Sequence, residues 1–71
     1  MSLEQLQTEY ENDLQRIRDK IDRMKLQETA LHLAGKHNAA WKLSGIRVRY
    51  ELIERDLVYA LAEMGKKKKP E

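Results

Sequence analysis

The stretch Gly35-Lys36-His37-Asn38 divides the 71-residue chain into two long segments of helical character, and its reading decides the fold. Glycine adopts the left-handed conformation that closes a helix without the steric penalty of a Cβ. Asparagine is a favourable N-cap, because its side-chain oxygen accepts from a free backbone N–H of the first turn. The spacing therefore predicts a first helix over about 3–34, a turn over 35–38 and a second helix over about 39–64.

Working outward from the turn, the first segment carries Leu3, Tyr10, Leu14, Ile17, Ile21, Met24 and Leu31 at alternating steps that fit a heptad seam, with Gln7 and Glu28 as its polar positions. Ser2 followed three residues later by Gln5 forms a capping-box pattern, and Glu4 suits the first turn. The second segment carries Leu43, Ile46, Tyr50, Ile53, Leu57, Ala60 and Met64 at steps of three and four. Gly65 reads as its stop, and 66–71 as a basic tail expected to be disordered.

The two stripes select one antiparallel register. If facing residues share an index sum of 74, Leu31 meets Leu43, Met24 meets Tyr50, Ile21 meets Ile53, and Ile17 meets Leu57. The same register sets Glu28 opposite Ile46, Arg18 near Asp56, Lys20 near Glu54 and Arg23 near Glu51. Apolar and charge patterns agree on the pairing, which is the consistency expected of a specified fold. The fold class predicted is all-α: an antiparallel, coiled-coil-like two-helix hairpin.

A second apolar stripe lies off this seam. Trp41, Val48, Leu52 and Tyr59 recur on helix 2 with Gly45 among them, and Leu26, Ala30 and Leu33 recur on helix 1. A helix that is apolar on two faces requires two neighbours. A glycine inside a helix costs about 1 kcal/mol relative to alanine, which a close helix–helix approach explains or which is simply tolerated. A chain below about 80 residues rarely builds enough core alone. A homodimer forming a four-helix bundle is the economical arrangement, with a tetramer or docking to another helical protein also compatible.

Composition narrows the function. There is no cysteine, hence no disulfide or thiolate metal site, which suits a reducing, cytoplasmic compartment. No apolar run approaches the ~18 residues of a membrane span, and Met1-Ser2-Leu3-Glu4 lacks the pattern of a signal peptide. Neither a phosphate loop nor a nucleophile motif is present, so no catalytic residue, cofactor or metal is expected. His32 and His37 straddle the end of a helix with poor ligand spacing, and Glu28 precedes His32 by one turn.

Charge is uneven. Residues 23–50 carry six bases against Glu28 alone, a net +5 in a chain whose total is +2. Lys36, Lys42, Arg47, Arg49 and the run Lys66, Lys67, Lys68 and Lys69 could contact phosphates, with Trp41 available for stacking. Against that, Arg47 and Arg49 are two apart and cannot face the same way, and lysines beyond a helix C-terminus also complement its dipole. Glu28, on the core stripe, reads either as a partner of Arg47 or Arg49 or as a register-specifying carboxylate.

Helix lengths and turn position resemble those of the small dimeric helical-hairpin protein Rop, which binds RNA. Leu43-Ser44-Gly45 followed by Tyr50-Glu51-Leu52-Ile53 resembles helices in small proteins of prophages and mobile elements. Shared architecture carries no binding residue across. The expectation is a non-enzymatic, self-associating structural or adaptor module. Its interface would be Trp41, Gly45, Val48, Leu52, Tyr59, Leu26 and Leu33; a nucleic-acid-binding bundle is the alternative.

Overall fold

The structure, a computed structural model, describes residues 2–68, and of 66–68 the backbone alone. Two helices, α1 (Leu3–Leu33) and α2 (His37–Lys68), pack against each other as a hairpin 56 Å long and about as thick as it is wide, 15 by 16 Å. The described residues include no strand.

Local chemistry accounts for the ends of α1. The Ser2 hydroxyl accepts from the Gln5 N–H, and the Gln5 side chain accepts from the Ser2 N–H, both at 3.1 Å, which completes the capping box. At the other end Ala34 is the C-cap and Gly35 takes φ 75°, the left-handed region. The Gly35 N–H donates to the His32 carbonyl, and the Lys36 N–H to the Leu31 carbonyl at 2.8 Å. This pair of bonds is a Schellman closure, and it satisfies carbonyls that have no partner within the helix.

The closure is complete at Lys36, so α2 begins two residues earlier than its sequence suggests. The Lys36 carbonyl accepts from the Ala40 N–H at 3.1 Å, and Asn38 lies inside the first turn instead of capping it. Gly65 does not stop α2, which continues to Lys68. Glycine is tolerated within a helix at about 1 kcal/mol, and the lysines that follow are favourable at its C-terminal end. Of the tail expected to be disordered, 66–68 thus belong to α2, and residues 69–71 lie outside the described part.

The core is thin. Among the described residues Leu14, Ile21, Met24, Ala40 and Met64 are the buried apolar ones, and no large side chain is fully enclosed. Every buried position of α1 falls on its heptad stripe, Glu28 included. On α2 the seam is rotated from the expected stripe. Ala40, Leu43, Arg47, Tyr50, Glu54, Leu57, Leu61 and Met64 are buried or half-buried, whereas Ile46 and Ile53 are each 45% exposed. Arg47 and Glu54 take the inward places because both find charged partners on α1: Arg47 reaches Glu28, and Glu54 accepts from Arg18 Nε at 3.0 Å. Glu28 thus meets Arg47 and not Ile46. Arg18 meets Glu54 and not Asp56, and Lys20 sits over the Tyr50 ring, 5.1 Å from its centroid, instead of beside Glu54. Glu51 pairs with Arg47 instead of Arg23.

Candidate interaction surface

Because the seam is a narrow strip along two rods, each long side of the hairpin is a separate surface, and the two sides differ chemically. One carries an ionic network centred on Arg47. Its Nε donates to Glu28 Oε2 at 2.5 Å, and its Nη2 to Glu28 Oε1 and to Ser44 Oγ, each at 3.3 Å; its Nη1 donates to Glu51. Ser44 and Glu51 precede and follow Arg47 by three and four residues, so they share one flank of α2. Arg18 and Glu54 continue the network toward the free end.

The Arg47 hydrogen bonds hold the Glu28 carboxyl below its ordinary value of 4.5; desolvation opposes them and the charge of Arg47 reinforces them. Glu28 is shielded by its immediate neighbours, but a hairpin two helices thick leaves little protein around it at longer range. Desolvation is therefore the weaker influence. The same Glu28 hydrogen bond raises Arg47.

The opposite flank is apolar. Ile46 and Ile53 each precede an inward-facing charge by one residue, which turns them about 100° away from it on an α-helix, to the side opposite Ser44 and Glu51. With Tyr50 between them, and Arg49 at the margin, they line a shallow groove. Leu43 and Leu57 extend this row at half burial. On α1 the edge of this side is marked by Lys20, whose ammonium covers Tyr50.

The outer face of α2 presents the predicted second stripe to solvent. Trp41 and Tyr59 are each 65% exposed, and Val48 and Leu52 about half exposed. A Cβ added at Gly45 would meet nothing within 4 Å, so no close approach inside the hairpin accounts for that glycine. Leu26 and Leu33 are also exposed, on the back of α1. The structure therefore places all seven predicted interface residues on the surface, in two groups on different helices. Ile46 and Ile53, which the sequence assigned to the seam, join the exposed apolar set.

The basic set is reduced. Arg47 is committed to Glu28 and Glu51, while Lys36, Lys42 and Arg49 are exposed. The side chains of Lys66, Lys67, Lys68 and Lys69 lie outside the described residues. At the turn, His32 and His37 come together despite their spacing: their Nδ1 atoms are 2.8 Å apart, one imidazole donating and the other accepting. The Schellman closure folds the chain back within five residues, a geometry that helix-face spacing alone does not reveal. Among the described residues no group of three or more His, Asp or Glu side chains could hold a metal ion. Near the free end the polar stripe residue Gln7 donates to Glu11 at 3.2 Å, and its buried Oε1 has no hydrogen-bond partner among the described residues.

No helix among the described residues is long and apolar enough to cross a membrane. No family model, curated protein or solved structure matches the chain.

Proposed function

We propose that the protein is a non-enzymatic helical-hairpin module that self-associates, a homodimeric four-helix bundle being the favoured assembly. In this reading it serves as a structural or adaptor element for helical partners. One observation carries this reading: α2 leaves Trp41, Ile46, Val48, Leu52, Ile53, Val58 and Tyr59 exposed while its seam with α1 encloses no large side chain completely. Rows of exposed apolar side chains of this kind suit contact with another protein surface. The outer stripe Trp41, Val48, Leu52 and Tyr59, with Gly45 leaving room at its centre, is the surface for a further helix, and Leu26 and Leu33 offer a smaller one on α1. A cytoplasmic setting suits a cysteine-free chain with these properties.

Thermal unfolding followed by circular dichroism at several protein concentrations tests self-association. Folding coupled to dimerisation makes the midpoint rise with concentration. A midpoint that stays constant over a hundredfold range, roughly the span needed to resolve this linkage, counts against the proposal.

Nucleic-acid binding through Lys36, Lys42, Arg49 and the lysine run is the alternative. It would show as RNA or DNA binding at low salt that weakens steeply as salt is added. The commitment of Arg47 to Glu28 and Glu51 weighs against it.

A further inference from the structure

Resting on the self-association proposed above, we infer that a second copy of this chain covers the Ile46–Tyr50–Ile53 flank, with the turns of the two copies at opposite ends of the bundle. The outer stripe of α2 then remains free.

The asymmetry between the flanks chooses the face. Apolar burial alone would rotate α2 to bury Ile46 and Ile53 and expose Arg47 and Glu54, but the ion pairs to Glu28 and Arg18 hold it in the other phase. The observed rotation half-buries the two charges and leaves each isoleucine 45% exposed. It is the rotation that suits a helix with a neighbour on each side of its apolar row: α1 against Leu43, Tyr50 and Leu57, and another helix against Ile46 and Ile53. The ionic network of Arg47 points to the other flank and needs no partner beyond those it has.

Size sets the extent of contact. A stable interface takes roughly 800 Å² from each partner. The lengthwise face of the hairpin, 56 by 16 Å, is of the same order, so contact must run along its length and not tip to tip.

Charge sets the direction. Residues 23–50, the turn half, carry a net +5, and because the whole chain carries +2 the remainder carries −3. Copies aligned with turns together would place +5 against +5. The reversed arrangement places the basic turn half of each copy against the acidic half of the other. Like charges across an interface oppose association, and opposite potentials favour it.

The test combines three variants of the full chain in sedimentation and distance measurements. Ile53→Lys is expected to raise the dimer dissociation constant at least about thirtyfold while helical content is kept, as for a central interface residue. Leu52→Lys, one residue away on the outer stripe, is expected to remain dimeric. Lys36→Cys introduces the sole cysteine of the chain. Spin labels on it are expected to lie at a separation near the 56 Å length of the hairpin, not near its 16 Å width. Added salt is expected to weaken the dimer by screening the attraction between unlike halves.

A dimer lost with Leu52→Lys but kept with Ile53→Lys overturns the inference and leaves self-association standing. Labels within about the hairpin width, or a dimer strengthened by salt, overturn the antiparallel direction. A wild-type monomer overturns both this inference and the self-association it rests on. If Ile53→Lys loses its helical content, the Lys36→Cys separation and the Leu52→Lys assembly state decide the matter.

Discussion

Ile21→Ala unfolds the hairpin or leaves it mostly unfolded at room temperature, read as loss of the helical circular dichroism signal. Ile21 is 4% exposed, the most enclosed large side chain of α1, at the middle of the seam. Truncating a buried isoleucine to alanine costs about 2–5 kcal/mol through lost transfer energy and the cavity left behind. A domain of this size seldom holds more than about 3–5 kcal/mol in total. The matched control is Leu33→Ala, at a residue 85% exposed, which should change stability by no more than about 0.5 kcal/mol. If the two variants melt alike, the seam described here is not what holds the helices together.

The second large effect concerns the ionic pair at the core stripe. Glu28→Ala leaves Arg47 half-buried with only Glu51 and Ser44 as partners, and should destabilise the hairpin more than loss of the exposed pair Arg16–Asp13. Removing one member of a shielded pair strands the other, whereas replacing both by apolar side chains relieves that penalty. The double variant Glu28→Leu/Arg47→Leu is therefore expected to recover the stability lost in Glu28→Ala.

The pH dependence has a definite sign. The folded state holds Glu28 below 4.5, so its carboxylate contributes stability that is fully present above that value. That contribution is lost as the pH falls from 4.5 through the depressed folded value, because protonation then favours the unfolded chain. Glu28→Gln lacks this contribution. The stability difference between wild type and Glu28→Gln, measured by urea unfolding, should shrink on acidification through this range. A difference independent of pH would show that the Glu28 charge is not what Arg47 reads.

Much of the hairpin is legible in sequence because it is written in local chemistry. The Ser2–Gln5 box, the left-handed Gly35 and the seven-residue repeat of α1 each act within a few residues, and each takes the form its residue types favour. The phase of α2 is less legible. Two stripes compete there, one entirely apolar and one interrupted by Arg47 and Glu54, and hydrophobic periodicity selects the first. The second prevails because Glu28, nineteen positions from Arg47, and Arg18, thirty-six positions from Glu54, supply partners that only the folded hairpin brings near. The one available signal was Ser44, Arg47 and Glu51 at helix-neighbour spacing, with Glu28 on the facing stripe.

The turn shows the same limit at shorter range. Asn38 is a good cap by type, but the Schellman closure finishes at Lys36 and leaves it no capping position to fill. The contact between His32 and His37 follows from that closure and from no helical periodicity. The apolar residues off the seam were legible as a class, since their spacing is visible in sequence, and they are exposed in the hairpin. Ile46 and Ile53 could not be assigned to the same class until the rotation of α2 was known.

Sedimentation equilibrium over a wide range of protein concentration and two ionic strengths tests the central claim most directly, because it reads mass without reference to any side chain. Self-association through the uncovered faces of α2 predicts a reversible monomer–dimer equilibrium with twice the chain mass of 8.4 kDa at high concentration, weaker at the higher salt. A mass that remains 8.4 kDa at every concentration would contradict it.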